Sequence, residues 1–398
     1  MRKVKLVSRT VGRLSAVVIA SGLALGGVAH LSLVTVNSHS QVHEPAPASA
    51  PAPVVQQPRT LPPSAPRAIP SAAIRLNQTV ARLGEAFPGD VGIVVRDVQT
   101  GWTSHYRGLD YFPQQSVSKL WVALSLFDQI DRGANALANQ VTVRPEDLTL
   151  FHQPIRALTL RPGGFRTTNE DLLLRALTQS DNSANDRLLN LVGGTTVVRQ
   201  TLAQKGISGV RFGPGETVMQ SQIAGLAWKP EFSVGQRFYD ARDALPTAAR
   251  RTAFNAYLAD PVDGATPLGI ADALARLKQG QLLSPASTNR MLSIMAQTRT
   301  GPQRLKGALS NGWSLSHKTG TGQIFQGEQA GYNDVGILTS PGGQSYAVAV
   351  LIGRTGQPLP ARMKLMHRVV EATIEYDAQL AAQRTAADQR STSAETHS

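Results

Sequence analysis

The placement of strand-like segments constrains this chain most. Val91 to Val98 is an apolar run, Gln99-Thr100-Gly101 is a turn, and Trp102 to Arg107 follows, which together predict a β-hairpin. Strand signals return only near the other end, at Ser314 to His317, Asp334 to Thr339 and Tyr346 to Ile352. Between them the apolar spacing is helical over about 117–131, 168–179, 183–192, 196–205, 266–278 and 284–297. Ile74 to Phe87 also has helical spacing and stops at Pro88-Gly89, and a helix from about Pro360 to Leu380 closes the region. Strands first, helices in the middle and strands last imply one sheet built from both chain ends. The expected fold is α+β of the sandwich type, an antiparallel sheet flanked by helices, with the helical middle set in as a subdomain.

Composition narrows the chemistry. With 398 residues, 41% of them hydrophobic, the chain has enough apolar surface for a proper core. It has no cysteine, which excludes disulfides, thiolate metal sites, iron–sulfur clusters and a cysteine nucleophile. The net charge of +13 first suggests nucleic acid. However, residues 1–75 hold eight Lys and Arg against the single Glu44, so more than half of the excess lies there. The remaining arginines are scattered and no nucleic-acid-binding pattern accompanies them, so no nucleic-acid partner is expected. His105, His152 and His367 show no ligand spacing, and neither a metal nor a cofactor is expected.

The N-terminal excess has its own explanation. Residues 1–13 carry five positive charges and no acid, and Leu14 to Val36 carries no charge. A basic segment followed by an apolar stretch marks an export signal. Residues 1–38 are therefore expected to be a signal peptide cut near Ala29, or a membrane anchor through residues 14–36. Either leaves the rest periplasmic or otherwise outside the cytoplasm. Residues 39–73, with PAPASAPAP and LPPSAPRAIP, form a Pro/Ala-rich linker. Residues 74–380 are expected to be one domain, and residues 381–398 a disordered tail.

Three local patterns carry chemistry. Ser116-Val117-Ser118-Lys119 opens an apolar helix, and residues three apart there share a face. A serine nucleophile needs a base, and a lysine in an apolar, electropositive pocket can serve. The same residues also fit a helix cap followed by a surface lysine. Among the nine lysines, though, only Lys119 has a serine at that offset. Ser180-Asp181-Asn182 lies between two helices and suits capping. Lys318-Thr319-Gly320-Thr321-Gly322 puts a cation on a strand beside glycines that permit close backbone approach, or is an edge strand turning into a loop.

In this order the three patterns form the S-x-x-K, S-D-N, K-T-G set of penicillin-recognising serine enzymes. From about Ile74 to Gln379 the chain resembles class A β-lactamases. Further likeness lies in Asp90-Val91-Gly92, Asp147-Leu148 with Phe151, Thr266-Pro267, Leu282-Leu283-Ser284, Gly312-Trp313 and Asn333-Asp334-Val335-Gly336-Ile337. The resemblance implies Ser116 as acylated nucleophile, Lys119 as its base and Ser180 as proton shuttle to the leaving nitrogen. It implies that Asn182 binds the substrate's acylamide, and that Lys318, Thr319 and Thr321 hold its carboxylate beside Gly320. Phe151 stands at the site rim, and the N–H groups of Ser116 and Thr321 form an oxyanion hole.

Glu216 lies 36 residues after Ser180, similar to the family's offset for the glutamate that hydrolyses the acyl-enzyme, and Gln220 follows four residues later. Yet Gly213 to Gln220 departs from the family's E-P-x-x-N pattern, and its buried arginine–aspartate clamp is not evident. The stretch to Thr266 is also long, with an insertion at about 222–262 expected as a partly helical lid or brace. The expected function is β-lactam hydrolysis by a monomer. Alternatives are a peptidoglycan D-Ala-D-Ala peptidase, an esterase, or a non-catalytic wall-binding module.

Overall fold

A computed structural model describes residues 70–395. The signal or anchor, nearly all of the linker and the last three residues lie outside them. Among the described residues no helix is long and apolar enough to cross a membrane. The strands of the main sheet are β1 (Val91–Asp97), β2 (Thr103–Tyr106), β3 (Ser314–Thr321), β4 (Glu328–Thr339) and β5 (Ser345–Thr355). Their order is β2-β1-β5-β4-β3, every neighbouring pair is antiparallel, and Ile324–Phe325 adds a short pairing to β4. The first strand meets the last in the register Val91↔Ile352 to Asp97↔Tyr346. The sheet is thus built from both chain ends, as the strand signals require.

Both faces are covered, which explains the unbroken apolar runs. Residues i and i+2 along a strand share a face. Ile93, Val95, Val348, Val350 and Ile352 turn to one side, packing with Leu76 and Val80 of α1 (Ser71–Glu85) and with Met366, Val369 and Val370 of the last helix. Val94, Ala347, Ala349 and Leu351 turn to the other and join the core of the helical middle. That middle holds α2 (Lys119–Asp131), α3 (Asn169–Leu174), α4 (Asn182–Leu191), α5 (Gly194–Gln204), α6 (Glu216–Ile223), α7 (Arg237–Asp243), α8 (Thr247–Ala259), α9 (Pro267–Lys278) and α10 (Pro285–Ala296). Side chains cap several of these helices. Asp181 accepts from the Ala184 N–H at 2.9 Å, Thr266 from Gly269 at 3.0 Å and Ser284 from Ser287 at 3.2 Å.

The boundaries differ in two places. The first helix begins at Ser71, with Ala72 and Ala73 buried, so the final linker residues are its first turn. The last helix, α11, runs from Leu359 to Glu395 instead of ending near Leu380. No Gly or Pro interrupts residues 381–395, and their Ala, Gln and Arg are good helix formers. Gln383 Nε2 donates to Ser71 Oγ at 3.0 Å, so the early part of this extension lies along α1.

Candidate active site

Three elements converge on one cleft of about 590 Å³. A 3-10 turn over Gln115–Ser118 leads into α2 and places Ser116 at its mouth. Lys119, one turn on, is 1% exposed. Its Nζ donates to Ser116 Oγ at 2.7 Å and to Asn182 Oδ1 at 2.9 Å. The surface-lysine alternative fails because a buried ammonium needs such partners.

Ser180 follows a π-helical turn over Arg175–Gln179 and adopts a left-handed backbone with φ of 60°. That conformation is uncommon for a residue with a side chain and points to a constrained site. Asp181 is the cap that the tripeptide suggests by itself. Buried, with its carboxyl raised by desolvation, it also accepts from the Ile155 N–H at 2.8 Å. Asn182 is more committed than expected. Its Nδ2 donates to Leu150 O at 2.9 Å and to Glu216 Oε1 at 3.0 Å, so both hydrogens are used. Only one lone pair of Oδ1 remains for a ligand N–H.

Strand β3 supplies the third group. Lys318 is fully buried, and its Nζ donates to Ser180 Oγ and to Thr319 O, each at 2.9 Å. Burial first, then the positive charges of Lys119 and Arg304, hold its pKa well below the usual lysine range. His317 beside it is buried, and its Nδ1 lies 2.8 Å from Asp334 Oδ1, so it is a packed residue. Gly320 is required for a reason other than ligand approach. A Cβ there would stand 2.3 Å from the carbonyl oxygen of Gln114, so the missing side chain lets β3 lie against the backbone just before Ser116.

Glu216 begins α6 and joins this group. Its Oε2 is 3.9 Å from Lys119 Nζ, and its N–H donates to Asp186 Oδ2 at 3.1 Å. Desolvation and the neighbouring Glu216 charge push Asp186 up to about 7. An arginine–aspartate pair does close the base of this loop, between Arg211 and Asp260, but it is exposed. The buried acid is Asp263, whose Oδ2 accepts from the Gln115 N–H at 2.7 Å. The long stretch is largely helical, and α7 packs against Phe151 at the rim. Phe151, with φ of 61°, packs edge-on to Phe238 at 5.2 Å and to Tyr239 at 6.3 Å, both on α7.

Ser116, Phe151, Ser180, Asn182, Glu216, Thr319 and Thr321 line the cleft, whereas Lys119, Lys318 and Gly320 stand behind its wall. Sequence reasoning missed Thr300 and Arg304, which also line it. Thr300 Oγ1 is 2.6 Å from Thr319 Oγ1. Arg304 Nη2 donates to Thr321 Oγ1 at 2.6 Å, Nη1 to Gly320 O at 2.9 Å and to Asn333 O at 2.6 Å. Its guanidinium lies 3.8 Å from the Tyr332 ring centroid. The only signal for Arg304 was one arginine among many.

A serine backed by a buried lysine, a second serine backed by another, and a carboxylate opposite them suit acyl transfer. The chain that carries this combination is similar to known proteins. Beta-lactamase VEB-1 of Pseudomonas aeruginosa is 29% identical over 267 residues, 67% of this chain and 78% of that protein. Extended-spectrum beta-lactamase PER-1 of the same organism is 28% identical over 269 residues, 67% of this chain and 75% of that one. A solved beta-lactamase from Chitinophaga pinensis superposes with a TM-score of 0.61 at 28% identity, over 76% of this chain and 99% of its own. An ancestral class A beta-lactamase superposes at 0.59 and 27% identity, over 75% and 99%. The model of the beta-lactamase enzyme family matches residues 75–376, nearly the whole folded region. With sheet, cleft and match in agreement over the same residues, the chain belongs to the beta-lactamase enzyme family.

Proposed function

We propose that this protein is an exported hydrolase that opens the β-lactam amide through an acyl-enzyme on Ser116. One observation carries the reading: Ser116, Lys119, Asn182 and Glu216 form a continuous polar chain ending in the cleft. Ser116 Oγ attacks the lactam carbonyl carbon as its proton passes to Lys119 Nζ, while Lys119 gives one of its own hydrogens to Glu216 Oε2. The N–H groups of Ser116 and Thr321 face the developing oxyanion. The carbon–nitrogen bond then breaks and the nitrogen takes a proton from Ser180; Lys318 replenishes that hydroxyl and recovers the proton from Glu216 through the cleft, which leaves Glu216 ionised for the second half. Thr319, Thr321, Thr300 and Arg304 receive the substrate carboxylate. The free lone pair of Asn182 receives its acylamide N–H.

In the second half, Glu216 takes a proton from water as the water oxygen bonds to the ester carbon. The bond to Ser116 breaks and the serine leaves with that proton. Export rests on the basic residues 1–13 followed by the uncharged residues 14–36.

The test mixes purified protein with a chromogenic cephalosporin and follows hydrolysis together with the intact mass of the enzyme. Turnover with a transient adduct on Ser116 is the expected result. A stable adduct without turnover favours the peptidase-like alternative. An intact protein that gives neither refutes acyl transfer to β-lactams.

A further inference from the structure

The acylation chemistry uses no residue of α7 or α8, yet a chain of buried hydrogen bonds runs from α8 to Gln220. At its far end is the buried carboxylate of Asp263, whose Oδ2 accepts the backbone N–H of Gln115 at 2.7 Å. A carboxylate only accepts. Asp263 Oδ1 is 2.9 Å from the hydroxyl of Tyr257, so the single hydroxyl hydrogen of Tyr257 is spent there. Toward Gln115 the Tyr257 oxygen is then an acceptor, and Gln115 Nε2 donates to it at 2.5 Å. That turns Gln115 Oε1 to Gln220, which must offer its nitrogen, and Gln220 Nε2 donates at 2.9 Å. Gln220 Oε1 is left for the cleft side, where it accepts from Gln323 Nε2 at 2.9 Å. An isolated amide has two nearly equivalent orientations. Here one carboxylate decides both.

The orientation matters for hydrolysis. Gln220 stands one helical turn after Glu216, on the same face of α6, and both line the cleft. A water that attacks an ester must give one hydrogen to its base and keep a lone pair for the carbon. An amide oxygen beside it accepts the second hydrogen, whereas an amide N–H would occupy the lone pair. We infer that Tyr257 is a positioning residue for deacylation: through Gln115 it holds the Gln220 oxygen toward the water that Glu216 activates. The inference rests on the proposed acyl-enzyme. The Tyr257 ring belongs to the apolar cluster of Met219, Ile223 and Phe254, which does not need the hydroxyl, so Tyr257→Phe keeps that packing and removes the polar links to Gln115 and Asp263.

The test is a rapid-quench mass measurement of wild type and Tyr257→Phe with a chromogenic cephalosporin, resolving formation of the Ser116 adduct from its decay. Decay should slow about tenfold, the effect of one lost hydrogen bond, with formation within twofold. For a deacylation-limited substrate kcat and KM then fall together and kcat/KM holds, a split that general loosening does not produce. Gln115→Met, which cuts the chain in the middle, should give the same split and stands in if Tyr257→Phe does not fold. Unchanged decay in both variants, or equal loss in formation and decay, overturns the inference alone. Wild type that is acylated but never turns over overturns it together with the proposed function.

Discussion

On one wall of the cleft, Ser116, Lys119, Ser180 and Lys318 stand on elements pinned by the sheet and by the core of the helical middle. On the other, Glu216 and Gln220 stand on the eight residues of α6, supported by a buried line of amides and by a small apolar cluster of Met219, Ile223, Phe254 and Phe325. The first wall is fixed by backbone hydrogen bonds and main-core packing, which every function of the fold shares. The second is held by side-chain hydrogen bonds and a satellite apolar cluster. In the proposed reaction, weakening the supports of α6 is therefore expected to slow removal of the acyl group more than its formation, although Asn182 joins the two walls through its bond to Glu216.

The sharpest separation is Glu216→Gln. Loss of a general base should slow adduct decay by about 10²–10⁴-fold while Ser116 still acylates, seen as a persistent mass increment. Unchanged turnover retires Glu216 as the base. Next is Phe254→Ala, which empties the satellite cluster and should cost about 3–5 kcal/mol in urea unfolding. Where the protein remains folded, decay should suffer more than formation. If both suffer equally, the two walls are not independent.

Arg304→Gln tests the first wall. It removes a charged donor beside Thr321 and should lower kcat/KM by roughly 10–100-fold, on the order of 1.5–3 kcal/mol, with Glu216-dependent decay unaffected. The smallest effect is Asp186→Asn, read as a pH dependence. The folded-state value of Asp186 is raised to about 7 from 3.8, so its stabilising contribution is present at low pH and is lost as pH rises through about 7. The variant should gain about 1 kcal/mol over wild type at pH 8, discounted for partial exposure. That gain should vanish near pH 4. A gain that does not change with pH assigns the effect to packing instead.

The two walls also differed in how well they could be read. Strand positions, α2 and the S-x-x-K, S-D-N and K-T-G segments were legible because periodicity and short spacing are local properties. Arg304 was not, because what distinguishes it from other arginines is the close approach of β3 and β4, a long-range contact. The amide line was invisible for the same reason. Gln115, Gln220, Tyr257 and Asp263 are ordinary residues in sequence, and only folding brings them together. The use of both Asn182 amide hydrogens likewise depends on Leu150 and Glu216, each more than thirty residues away.

The pairing of β1 with β5 has a consequence for biosynthesis. Val91 opposes Ile352, so the strand made first in the sheet waits for the one made last. At a translation rate of roughly 5–20 residues per second that interval is on the order of 10–50 s. Throughout it, β1 and β2 have only each other, and a lone hairpin is marginal in water. The nascent chain therefore emerges with one side of β1 unpaired and closes its core late, in a step of high contact order.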